Sequence, residues 1–118
     1  WAKRALQRAT WRNALTVFIA VDGRPAAALL LADELRRDAP RAIRALREAG
    51  ISRLLMVTGD RPDAAEAVGT ALGLDAVLAE RTPSEKVEAV ASEQSRARTI
   101  MVGDGINDAP ALAAADVG

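Results

Sequence analysis

The chain has 118 residues, half of them apolar and only 3% aromatic, with sixteen Lys and Arg balanced by sixteen Asp and Glu. That length supports one domain around a single core, and zero net charge gives no sign of a nucleic-acid partner. Without Cys or His, disulfides, thiol nucleophiles, imidazole metal sites and a Ser-His-Asp triad are excluded. Chemistry must come from carboxylates, hydroxyls, Lys, Arg and backbone amides.

The longest apolar run, Ala26 to Ala32, is far shorter than the roughly 20 residues a membrane-spanning helix needs, and no signal-peptide pattern is visible. Opening on Trp1 in place of Met is what a fragment would show. Residues 1–13 are mixed and basic, the expected remnant of a preceding element. Leu15 to Val21 reads as a strand, Asp22-Gly23 as a hairpin turn and Ala26 to Ala32 as the returning strand. Asp38 is placed to cap a helix that has Pro40 in its first turn, runs to Glu48 and stops at Gly50. A strand is expected at Leu54–Val57, a helix at Pro62–Leu72 ended by Gly73, and a strand at Ala76–Ala79. Thr82-Pro83-Ser84-Glu85 is a capping box with Pro at the first helical position, opening a helix to about Glu93. Thr99–Val102 reads as another strand, and Gly103-Asp104-Gly105-Ile106-Asn107-Asp108 leads into a helix near Ala109–Ala114. Strands alternating with helices predict βαβ units and a parallel sheet.

In such a sheet, ligands bind beyond the carboxyl ends of the strands, where three polar clusters fall. Thr58-Gly59-Asp60 follows one strand, Gly103 to Asp108 follows another, and Lys86 lies in the first turn of the helix after a third. A cation in a first helical turn opposes the helix dipole, which makes sense if both face an anion; by position alone, a solvated surface lysine fits equally well. Asp104 and Asp108, with two glycines and Asn107, offer hard oxygens that suit Mg²⁺; an ordinary turn with Asp104 as helix N-cap is the alternative. The loop lacks the third glycine of a dinucleotide fingerprint, and no G-x-x-x-x-G-K-[ST] loop occurs. Thr58 offers a hydroxyl and Gly59 an accessible amide, though Thr-Gly-Asp alone is a common loop. Together these residues describe a Mg²⁺-phosphoryl site.

At these residues the chain resembles the phosphorylation domain of P-type cation ATPases, within the haloacid dehalogenase-like superfamily. The resemblance rests on Met56-Val57-Thr58-Gly59-Asp60, on Pro83-x-x-Lys86 and on residues 101–112 (MVGDGINDAPAL), in the family's order, and extends over about residues 15–118. The wording of the last motif is most similar to the heavy-metal-transporting branch. Asp33-Glu34-Leu35-Arg36 is similar to the family's D-x-x-R hinge. The resemblance implies a three-layer, Rossmann-like α/β fold with a parallel sheet, here incomplete and preceded by a β-hairpin. Residues 1–32 would be a remnant of the nucleotide-binding domain with the hinge hairpin, and 33–118 the C-terminal part of the phosphorylation domain. By the same resemblance, Thr58, Gly59, Lys86 and Asn107 would bind the phosphoryl group, and Asp104 would hold Mg²⁺ with support from Asn107 and Asp108. Asp108 would also orient Lys86, and Gly105, like Gly59, would admit a close backbone approach. Asp60 would serve the nucleotide side, and Asp33 and Arg36 the hinge. The implied parent is a membrane protein with this domain on its cytoplasmic side, driven by ATP and moving a metal cation.

The family's nucleophile lies in a D-K-T-G-T motif, and no Asp in this chain is followed by Lys. The chain is therefore expected not to turn over by itself. Its central strand would be missing, so the sheet is expected either to repack, pairing 54–57 directly with 99–102, or to borrow a strand from another segment or chain. Two other readings use the same residues: a piece of a soluble phosphatase of the superfamily, and a non-catalytic module that binds Mg²⁺ or phosphate.

Overall fold

The computed structural model of the chain describes residues 1–4, 7, 15–32 and 34–118, which divide into two units, Trp1–Ala42 and Ile43–Gly118. In the first, β1 (Leu15–Val21) and β2 (Arg24–Leu31) form an antiparallel hairpin. Asp22 and Gly23 both have positive φ, 50° and 73°, the two-residue turn whose twist matches the strands it joins. β2 begins two residues earlier than expected because the register slips between Ile19 and Ala20, which lets Pro25, with no N–H to give, pair beside the turn. Phe18, Val21, Leu29 and Leu31 stay exposed, and Trp1 meets Phe18 edge-on at 6.2 Å.

A helix, α1 (Ala39–Glu48), leads from one unit into the other, and Gly50 (φ 100°) follows its end. Asp38 stands before it, but its carboxylate takes the Arg36 guanidinium at 3.1 and 3.3 Å in place of the expected N-cap bond. That guanidinium holds the Asp38 carboxyl below its ordinary range.

The second unit is the expected parallel α/β arrangement. β3 (Leu55–Val57) pairs in parallel with β4 (Ala76–Leu78), and α2 (Pro62–Leu72) makes the crossover. Gly73 ends α2 in the left-handed conformation at φ 63°, as a C-terminal glycine should. The Thr82 box then starts α3 (Pro83–Gln94): Thr82 Oγ1 accepts the Glu85 N–H, and Glu85 accepts the Thr82 N–H at 2.8 Å. A short helix, α4 (Ala109–Ala114), lies against α3, tied at its far end by Gln94 Nε2 donating to the Ala114 carbonyl at 2.9 Å. Ala65, Val90 and Ala111, one from each of α2, α3 and α4, are the buried apolar residues among those described. Small residues let the helices close in: a Cβ on Gly69 of α2 would run into Val77 Cγ2 of β4.

The expected strand at 99–102 is reduced to a single parallel bridge, Ile100 to Val117. It does not pair with β3, so the repacked sheet is not the arrangement found. The second edge of β3 has no strand partner among the described residues. In a parallel ladder, alternate residues direct their N–H and C=O groups to opposite sides. Leu54 and Thr58 bond across to the β4 side, which turns the groups of Leu55 and Val57 to the other edge. Among the described residues, the 99–102 segment has a strand neighbour on one side only, through Ile100 and the Met101 N–H to Val117 carbonyl bond at 2.8 Å. Ile100 and Val102 are 55% and 85% exposed.

Both 54 and 99 are anchored in the same way. The Asp75 carboxylate accepts the Leu54 N–H at 2.8 Å while the Asp75 N–H donates to the Leu54 carbonyl. Asp116 and Thr99 repeat this ring, with a carboxylate bond of 2.8 Å. The backbone N–H bonds, of Leu54 and of Thr99, hold both carboxyls below their ordinary range, helped by Arg47 at Asp75 and Gln94 at Asp116. A depressed carboxyl stabilises the fold above its unfolded pKa and loses that contribution as pH falls through its folded value. Asp75→Asn and Asp116→Asn should therefore lower stability at neutral pH and flatten its decline below about pH 4, read from urea midpoints against pH. Gly69→Ala should cost about 1–3 kcal/mol by overpacking, and Val77→Ala in the same chain should return part of it in the same urea titration.

Candidate functional site

The carboxyl ends of β3 and β4 are stitched to the residues that follow them. The Thr58 N–H donates to the Leu78 carbonyl, the Arg81 N–H to the Thr58 carbonyl, and the Glu80 N–H to the Asp60 carbonyl, each at 2.9 Å. Glu80 takes a left-handed φ of 53° to make this close return, a conformation that is unusual for a residue with a Cβ. Thr58, Gly59 and Asp60 thus lie beside the connection that leads through Thr82 into α3. Within the turn, the half-buried Thr58 hydroxyl donates to Asp60 Oδ2 at 2.9 Å and accepts the Asp60 N–H at 3.1 Å. A Cβ on Gly59 would make only an ordinary 3.6 Å contact with the Arg81 carbonyl, and the residue is exposed. Arg81 reaches Glu85 at 3.7 Å, and its buried Nε has no partner among the described residues.

One turn into α3, Lys86 Nζ donates to Asp108 Oδ1 at 2.6 Å, with the two side chains 15% and 16% exposed. Lys86 is therefore not a solvated surface lysine, the alternative that its position alone leaves open. Asp108 occupies the N-cap position of α4, yet its side chain makes no capping bond. A capping carboxylate contributes about 0.5–2 kcal/mol to a helix, and here that bond is forgone for the lysine. Asp104 is not the helix cap; its Oδ1 accepts the Ile106 N–H at 3.2 Å, closing a small turn. Gly105 has a φ of 88°, which a side chain would resist. Asp104 and Asn107 are both exposed, and no group of three acidic side chains is gathered among the described residues.

Of the residues singled out in the sequence, the structure joins Lys86 directly to Asp108 and Thr58 directly to Asp60. Asp104, Gly105 and Asn107 share the loop before α4 without bonding to either pair. Arg36 lies in the first unit, exposed and paired with Asp38, and Asp33 lies outside the described residues. Gly103 is the residue that sequence reasoning misses: a Cβ there would meet the Asp108 carboxylate, a close approach that only the spacing of glycine and aspartate could have signalled.

A family model for haloacid dehalogenase-like hydrolases matches residues 2–116. The chain belongs to this family. Among curated proteins, it is 47% identical over 105 residues to a zinc-transporting ATPase of Synechocystis sp., covering 86% of this chain and 15% of that protein. A manganese-exporting P-type ATPase of Mycobacterium leprae is also 47% identical, over 103 residues, with 86% and 14% covered. Among solved structures, that of a zinc-transporting PIB-type ATPase superposes with a TM-score of 0.72 at 36% identity, over 96% of this chain and 18% of that one. The resemblance to heavy-metal P-type ATPases is therefore borne out, and the chain spans about one-seventh of the length of these curated relatives.

The Lys86–Asp108 pair should be energetically coupled. In a double-mutant cycle of Lys86→Ala and Asp108→Ala, urea unfolding should give a coupling of about 1–3 kcal/mol, above that of exposed ion pairs.

Proposed function

We propose that the chain is the C-terminal part of the phosphorylation domain of an ATP-driven metal-cation transporter that works through an aspartyl-phosphate, and that this stretch does not turn over by itself. The observation that carries the reading is the half-buried Lys86–Asp108 pair, set at the strand ends beside a loop of exposed hard-oxygen donors. A lysine held by a carboxylate at the start of a helix is poised as a fixed positive charge for a phosphoryl oxygen. Asp108 orients Lys86. Thr58 supplies a hydroxyl, which must rotate off Asp60 to donate outward, and Gly59 supplies its amide. Asn107 supports the phosphoryl group, and Asp60 serves the nucleotide side.

The donors fit Mg²⁺, which takes one or two carboxylates and leaves its remaining positions to water and substrate phosphate. Asp104 and Asn107 are both exposed for this, and Asp108 would support them. Bound there, Mg²⁺ would neutralise phosphoryl charge as it develops. The hairpin at 1–32 belongs, on this reading, to the end of a nucleotide-binding domain, with Asp33 and Arg36 as the hinge and 33–118 as the phosphorylation domain. The parent protein would hold this domain on the cytoplasmic side of a membrane. The transporters among the relatives favour this over a soluble phosphatase, and their different metals, zinc and manganese, at equal identity argue that the choice of metal lies outside this stretch.

The nucleophile and its strand would come from another segment. Mg²⁺ with beryllium fluoride should therefore bind weakly or not at all to the chain alone. Adding a segment that carries D-K-T-G-T within its strand should restore binding, and Asp104→Asn should then abolish it, measured by calorimetry. ATP hydrolysis by the chain alone would overturn the reading.

A further inference from the structure

The loop that carries Asp108 contains two glycines that serve different needs. Gly105 answers a backbone need, its φ of 88°. Gly103 does not, because its φ lies outside the left-handed region that favours glycine. What it lacks is room. An ideal Cβ built on Gly103 would stand 2.8 Å from Asp108 Oδ2, 2.9 Å from Asp108 Cβ and 3.2 Å from Asp108 Cγ. Separations below about 3 Å are well inside van der Waals contact.

Turning the Asp108 side chain about its Cα–Cβ bond would move Oδ2 and Cγ away but leave Cβ in place. The Asp108 backbone has little freedom to retreat. Its carbonyl accepts the Leu112 N–H at 2.8 Å, as a first hydrogen bond of α4, and Pro110 follows two residues on. The carboxylate is thus fixed on both sides: Oδ2 lies against Gly103, and Oδ1 takes Lys86 Nζ.

We propose that Gly103 is a positioning residue of the site: its missing side chain is the seat that lets the Asp108 carboxylate face Lys86. Any side chain at 103 displaces Asp108 and frees the lysine. The catalytic meaning of this seat rests on the function proposed above; the seat itself rests on geometry alone.

Lys86 and Lys3 are the only lysines in the chain, and Lys3 is exposed. Acylation of the full 118-residue chain followed by mass spectrometry therefore reads Lys86 against an internal reference. Gly103→Ala should raise the Lys86-to-Lys3 labelling ratio by about fivefold or more, toward the ratio of Asp108→Gly. Adding Gly103→Ala to Asp108→Gly should leave the ratio unchanged, because the atoms it would strike are gone. An unchanged Lys86 ratio in folded Gly103→Ala overturns the proposal. Should Gly103→Ala fail to fold, recovery of the fold in the double variant supports the seat, whereas failure of the double variant where Asp108→Gly folds overturns it. Labelling needs neither Mg²⁺ nor phosphoryl ligand, so failure of the beryllium fluoride experiment and failure of this one are told apart.

Discussion

A lysine ammonium and an aspartate carboxylate 2.6 Å apart, both mostly withdrawn from water, join the first turn of α3 to the start of α4. Ion pairs at such depth contribute little net stability, because desolvation offsets their attraction, but losing one partner is costly. The neighbouring residues are arranged around keeping this pair whole. Asp108 gives up its cap, Gly103 gives up a side chain, and the Thr82 box fixes where the helix bearing Lys86 begins. Arg81, just before that box, donates its N–H back to Thr58, so the ion pair and the Thr58 turn hang from one short connection.

Elsewhere among the described residues the strands are paired only two by two. β3 is covered along one edge, the 99–102 segment is held by a single bridge, and Ile100 and Val102 face water. Apolar side chains of this size, exposed along an extended segment, are a surface that a further strand could cover. In the first unit, a two-stranded hairpin cannot bury its own apolar residues, and Phe18, Leu29 and Leu31 stay in contact with solvent.

Local chemistry is legible in the sequence wherever it is self-contained. The Asp22-Gly23 turn, the Thr82 box, Pro62 and Gly73 around α2, and the extent of α4 depend on residues within a few positions of one another, and all lie where that local chemistry puts them. What depends on distant partners is less legible. An apolar run at 99–102 announces a strand but not whether a neighbour exists. Asp38 has the right place for a cap, but Arg36 competes for its carboxylate. The site residues of the two motif segments are visible as types in order. The Lys86–Asp108 pairing joins residues 22 apart and had to come from the resemblance, while the Gly103 contact, invisible to propensity, came only from the fold.

The paired aspartate rings at Leu54 and Thr99 give this small fold a polarity. Each closes the amino end of an extended segment with a carboxylate-to-backbone bond, while Thr58 and the Gly103–Asp108 loop occupy the opposite, carboxyl ends. The backbone anchors and the candidate site thus lie at opposite poles of the same short segments. Damage at the amino pole would surface as lower stability at neutral pH and a weaker dependence on acid, with the candidate site's residues still in place. Damage at the carboxyl pole would strip Lys86 or Asp108 of its partner and so cost the fold as well as the site. The two poles are therefore unequal: the amino one carries backbone anchoring alone, whereas a change at the carboxyl one is felt by the ion pair and by the fold together.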